Sequence, residues 1–230
     1  MKKSLLAFAL LFVSGTVAGA QVVGTLPDQS PFLDLHDSAR LGLFAGWLNG
    51  GHDDVGVNAK SAPFGGVRYD LPIGGPVYLT GTVFGATTSR TILDYTKPRA
   101  TRNIGTQSFA LVDANVALAL SVTGKRTWHH LQPLINIGVG VASGLGDKAD
   151  ISGDEFGTAF QFSYGAGVRY ITGSRSEIRL DLNQYWWELK YPPLYRSTQG
   201  DPVAIKAGGA LNSWTANTAL TLGWSYRAFR

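Results

Sequence analysis

The stretch Phe160-Gln161-Phe162-Ser163-Tyr164-Gly165-Ala166-Gly167-Val168-Arg169-Tyr170, then residues 171–176, then Glu177-Ile178-Arg179-Leu180-Asp181-Leu182-Asn183-Gln184-Tyr185-Trp186-Trp187, decides the fold. Phe160, Phe162, Tyr164, Ala166, Val168 and Tyr170 share one parity, and Gln161, Ser163, Gly165, Gly167 and Arg169 share the other. After the turn, Ile178, Leu180 and Leu182 alternate with Arg179, Asp181 and Asn183. A period of two is the strand signature, because successive side chains point to opposite faces. The stretch is a β-hairpin with one apolar face and one polar, charged face. In a soluble sandwich the apolar face packs on a second sheet. In a membrane barrel it meets lipid and the charged face lines the lumen.

The flanking chain chooses between these. Met1-Lys2-Lys3, an apolar run from Leu5 to Val13 and Ala18-Gly19-Ala20 have the form of a secretory signal peptide over residues 1–20. No later stretch has the ~18 consecutive apolar residues of a transmembrane helix, so a membrane location requires a barrel. Residues 21–37, with Pro27 and Pro31, read as an N-terminal periplasmic tail, and 38–230 as one domain. There is no cysteine, hence no disulfide and no thiolate metal site. The formal charge of +4 loses Lys2 and Lys3 with the signal, leaving 18 basic against 16 acidic residues. That balance carries no nucleic-acid signal.

Eight strands are expected: about 40–49, 64–71, 77–88, 107–122, 131–142, the two arms of the hairpin, and 214–229. Most run nine or more residues, the length of a tilted membrane strand. Connections alternate between short (72–76, 123–130, 172–176) and long (50–63, 89–106, 143–157, 188–213). Short periplasmic turns opposite long extracellular loops are the mark of an outer-membrane barrel. Aromatics gather at the strand ends: Trp47, Trp186, Trp187 and Trp214 toward the long loops, Tyr170, Trp224 and Tyr226 toward the short turns. Such rings form girdles at both membrane interfaces. The expected fold is all-β, an eight-stranded antiparallel up-and-down transmembrane β-barrel of the outer membrane.

Gln132 to Ala142, Tyr164-Gly-Ala-Gly-Val-Arg-Tyr170 and Glu177-Ile-Arg-Leu-Asp-Leu182 resemble the fifth to seventh strands of the small OmpA-like outer-membrane barrels, and the resemblance spans about 38–229. It implies a barrel with a structural or surface-interaction role, no cofactor, contact with outer-membrane lipids and lipopolysaccharide, and passage through the outer-membrane insertion machinery. No periplasmic peptidoglycan-binding domain accompanies it. The final apolar parity ends at Tyr226 and Ala228 with Phe229 out of phase, a departure from the usual terminal aromatic.

The inward parity carries Arg40, Arg68, Asp70, Asp113, Arg169, Glu177, Arg179 and Asp181. Inside eight strands, opposite charges pair, which predicts a lumen plugged by ion pairs. A gated narrow path and a carrier of small apolar ligands, using Phe44, Phe64, Phe84 and Phe109, are the alternatives. Arg90, Lys97, Arg99 and Arg102 are candidate contacts for lipopolysaccharide phosphates. An outer-leaflet lipid-modifying enzyme would need a convergent His, Ser and acid. Only His52, beside Asp53 and Asp54, lies on the long-loop side, and no Gly-x-Ser-x-Gly elbow occurs. The acidic loop 143–157 lacks calcium-loop spacing, so no metal is expected. The expectation is a non-enzymatic protein.

Overall fold

The computed structural model describes residues 30–35, 38–173, 175–196, 204–206 and 208–227. The signal-peptide reading of 1–20, and Phe229, lie outside them. Ten strands appear among the described residues, two more than the periodicity predicts. They are β1 (Phe32–Asp34), β2 (Arg40–Asn49), β3 (Ala62–Gly74), β4 (Val77–Leu93), β5 (Asn103–Ser121), β6 (Arg126–Trp128), β7 (Leu131–Leu145), β8 (Thr158–Ile171), β9 (Ser176–Lys190) and β10 (Asn212–Arg227).

The two additions are three-residue strands. β1 lies in the stretch expected as a tail, and it pairs with β6, in a segment expected as a short turn. Three residues are too few for a periodic signal. β6 leads into β7 through a two-residue turn at His129 and His130, with Trp128 opposite Leu131. Both histidines have positive φ, 48° and 66°. That is the geometry of a primed hairpin turn, which Asn and Gly usually supply.

The eight long strands pair antiparallel in the order β7-β5-β4-β3-β2-β10-β9-β8, and β8 pairs again with β7. Each long strand therefore has a long neighbour on both edges. Alternation holds across the pairings: Ile178, Leu180 and Leu182 are exposed, whereas Glu177, Arg179 and Asp181 are buried. The outside is apolar and the inside charged, the inverse of a soluble core. Among the described residues no helix is long and apolar enough to cross a membrane.

Glycine makes room for the polar interior. A Cβ on Gly140 of β7 would fall against the Ala114 carbonyl oxygen and 2.9 Å from the Gln161 amide nitrogen. Strand interiors disfavour glycine unless a neighbour approaches this closely.

Candidate functional site

The interior is layered. Toward the short turns lies the ion-pair network. Arg40 and Arg169 close on Glu177 at 3.0 and 3.2 Å. Arg68 meets Asp181 at 2.8 Å, and Arg179 bridges Asp181 at 2.7 Å and Asp70 at 3.2 Å. Thr80 donates to Asp70 at 2.6 Å, and Arg169 donates to the Gln132 side-chain Oε1 at 3.1 Å. Tyr78 lies under the guanidiniums of Arg40 and Arg169, and Phe44 under that of Arg68. Seven of the eight charges expected in the interior join this network. Asp113 is buried but stands outside it.

Next to the network sits an aromatic layer. Phe64 and Phe84 are 4.6 Å apart between ring centroids, with Phe44 and Tyr185 against them. Phe109 packs on Phe156, which packs on Trp187. The four phenylalanines weighed as an apolar ligand site thus pack against one another and their neighbours.

The long loops fold over the far end. Asp53 accepts backbone N–H groups from Val55 to Asn58 and the Tyr191 hydroxyl at 2.9 Å. The Trp187 indole donates to Asn58 at 3.0 Å. Trp187 is therefore an inward anchor for this loop and does not belong to an outer girdle; its parity places it with Tyr185 and Asp181. Trp47, Trp186, Trp214, Tyr170, Trp224 and Tyr226 do face outward. Arg90 holds Asp147 at 2.7 Å and Asp154 at 2.8 Å. Burial pushes the Asp154 carboxyl up to about 6, with Arg90 opposing. Burial and the nearby carboxylates raise the Tyr191 and Tyr195 phenols well above their ordinary range.

Arg90 is 1% exposed and Arg102 8%, so both turn away from solvent. Of the four cations considered for phosphate, Lys97 and Arg99 remain exposed, Lys97 beside Asp94 at 3.3 Å.

The outward face is not wholly apolar. Thr218 on β10 pairs in register with Asn49 on β2 and with Gln184 on β9. Its hydroxyl donates to Gln184 at 3.2 Å, and the Ser61 hydroxyl donates to Asn49 at 2.9 Å. Tyr164 pairs with Gln184 from β8, and Phe162 packs on Trp214 beside them. Gln184, Thr218 and Asn49 were not expected as site residues, although parity alone marks them as breaks in an apolar face. His52 is exposed two residues beyond Gly50, whose N–H donates to the Ser61 hydroxyl at 3.2 Å, and next to Gly51, whose N–H donates to Asn217 at 2.8 Å. Among the described residues no hydrogen bond joins a histidine to a hydroxyl or carboxylate. Nor do three of His, Cys, Asp and Glu stand together as metal ligands among them.

An all-β sheet with an apolar exterior and a charged interior is the build of a membrane β-barrel protein. A family model described as lipid A 3-O-deacylase (PagL) matches residues 66–185, 120 of the 230 in the chain. The chain belongs to the PagL family. This overturns the expectation of a non-enzymatic protein: the family is one of enzymes, and its match runs through six of the eight long strands. No curated protein matches the chain. Among solved structures it is similar to Neisserial surface protein A (12% identity, 86% of this chain and 97% of that one, TM-score 0.49). It is also similar to OprG from Pseudomonas aeruginosa (9%, 84% and 97%, 0.49) and to a major outer membrane protein from Thermus thermophilus (13%, 83% and 100%, 0.41).

Proposed function

We propose that this protein is an ester hydrolase of the outer leaflet that removes an acyl chain from lipid A, carried on a closed eight-stranded barrel in the outer membrane. The observation that carries this reading is the family match over 66–185. The layered interior supports it by leaving the outward surface and the long-loop rim as the working parts.

Ester hydrolysis needs a nucleophile and a base. Ser61 and His52 are the candidates to test, because both belong to the loop between β2 and β3, which precedes the matched stretch 66–185. The Ser61 hydroxyl attacks the ester carbonyl carbon and its proton passes to the His52 imidazole. The bond to the sugar oxygen breaks as that oxygen takes the proton, and water then releases the acyl group as a fatty acid. Thr218 and Gln184 would hydrogen-bond the substrate at the same junction, and Lys97 and Arg99 would meet its phosphates.

Mass spectrometry of lipid A from cells expressing the full chain tests this. The expected spectrum loses one ester-linked acyl chain with the wild type and is restored by Ser61→Ala and His52→Asn. Unaltered lipid A in cells whose membranes contain folded wild type would refute the activity. Deacylation that survives both substitutions would move the chemistry to other residues.

A further inference from the structure

A small cavity of about 20 Å³ lies where the ion-pair network meets the aromatic layer, and every one of the eight long strands contributes to its wall. That is room for roughly one water-sized guest. Arg68 on β3 and Arg179 on β9 line it, and no carboxylate does. Arg68, Thr82 and Asn115 stand in one register row across β3, β4 and β5, and Thr221 joins them at the cavity from β10. Three of these side chains hold a buried polar atom with no hydrogen-bond partner: the Nε of Arg68 and the hydroxyl oxygens of Thr82 and Thr221. All three groups can donate, and a buried donor left unmet is costly.

The charge balance points the same way. The network holds four guanidiniums, those of Arg40, Arg68, Arg169 and Arg179, against the three carboxylates of Asp70, Glu177 and Asp181. Asp113, the other interior carboxyl, stands one inward row nearer the long loops than Asn115 and does not line the cavity. A surplus positive charge held out of water calls for a partner. Guanidiniums only donate and an anion only accepts, whereas a water molecule would bring hydrogens of its own.

We propose that this cavity is an interior site for one small monovalent anion of chloride size, held between Arg68 and Arg179 with the Thr82 and Thr221 hydroxyls. Its single negative charge matches the surplus of one guanidinium in the network. Hydrogen bonds from charged donors to an anion are the strong ones, and here they form away from water. This site is independent of the deacylase reading, since it lies in the interior and the reaction is assigned to the loop between β2 and β3.

The test is thermal unfolding of the full chain refolded into phosphatidylcholine vesicles at fixed ionic strength, with sodium chloride replacing sodium gluconate in steps. Gluconate is too large for the cavity, and refolding in each mixture lets the anion enter as the interior closes. The wild type is expected to unfold at a temperature that rises with chloride and saturates. Thr221→Val keeps the side-chain shape and removes one donor. It should raise the half-effect concentration by about tenfold, the loss of one hydrogen bond to a charged group. Equal unfolding temperatures throughout the series would overturn the site and leave the cavity to water. A rise that does not saturate would be a general salt effect and would overturn it too, as would a half-effect concentration that Thr221→Val leaves unchanged. If that variant does not fold, Thr82→Val is read in the same way.

Discussion

Arg179 on β9 and Asp70 on β3 stand 3.2 Å apart, although β10 and β2 separate their strands along the sheet. The pair crosses the interior. The same guanidinium holds Asp181 on its own strand at 2.7 Å, so one cation ties two carboxylates that are distant in sequence.

Replacing Arg179 by Met leaves Asp70 and Asp181 buried with less positive charge around them. Breaking a buried pair from one side costs about 3–5 kcal/mol, more than the pair itself adds over an apolar filling. Arg179→Met should therefore lower the unfolding temperature, seen as earlier loss of the compact, heat-modifiable band on gels. Replacing Arg179 by Met and Asp70 by Leu together should recover part of the loss. A single variant as stable as wild type would show that the pair is hydrated rather than buried.

The ion pairs and the aromatic layer of Phe44, Phe64, Phe84 and Tyr185 together fill the interior. Wild-type protein in a planar bilayer should show no discrete channel openings. Openings in protein that has demonstrably folded would mean that the network parts to admit ions.

The cap answers to pH through Asp154, whose carboxyl burial raises from 3.8 to about 6. Between about pH 4 and 6 the folded cap keeps a proton that the unfolded chain has released. Stability from this group is thus greatest at the low end, falls as pH rises through that window, and levels off above it. Proteolysis of the loop 146–157 should accordingly be slower at pH 5 than at pH 7.5. Asp154→Asn, which keeps an oxygen to accept from Arg90, should remove that dependence; an unchanged pH profile would assign it to another group.

Two glycines on strands separate packing from propensity. Gly140→Ala sets a methyl against the Ala114 carbonyl and should reduce the yield of folded protein sharply. A Cβ on Gly81 meets nothing within 4 Å, so Gly81→Ala should fold as well as wild type or better. Refolding yields that rank the other way would place the close contact on the wrong face.

Alternation along each strand is a local property, and the sequence by itself determined every feature that rests on alternation alone. It indicated an all-β chain and the approximate places of eight long strands, though β4 runs five residues past the expected 77–88 and β5 starts four before 107–122, and it put Arg40, Arg68, Asp70, Asp113, Arg169, Glu177, Arg179 and Asp181 on the parity that the fold buries. It placed the outward rings at Trp47, Trp186, Trp214, Tyr170, Trp224 and Tyr226. Trp187 was legible too, since its parity matches Tyr185, but an expected girdle obscured it. Which inward residues meet was not legible, because that depends on the register of strands far apart in the chain and on how they wrap. Only the tertiary structure joined Arg179 to Asp70, left Asp113 apart, turned Arg90 onto Asp147 and Asp154, and paired β1 with β6. It also gathered Asn49, Thr218 and Gln184 from three strands into one outward row, since a row across a sheet exists only once the strands are side by side.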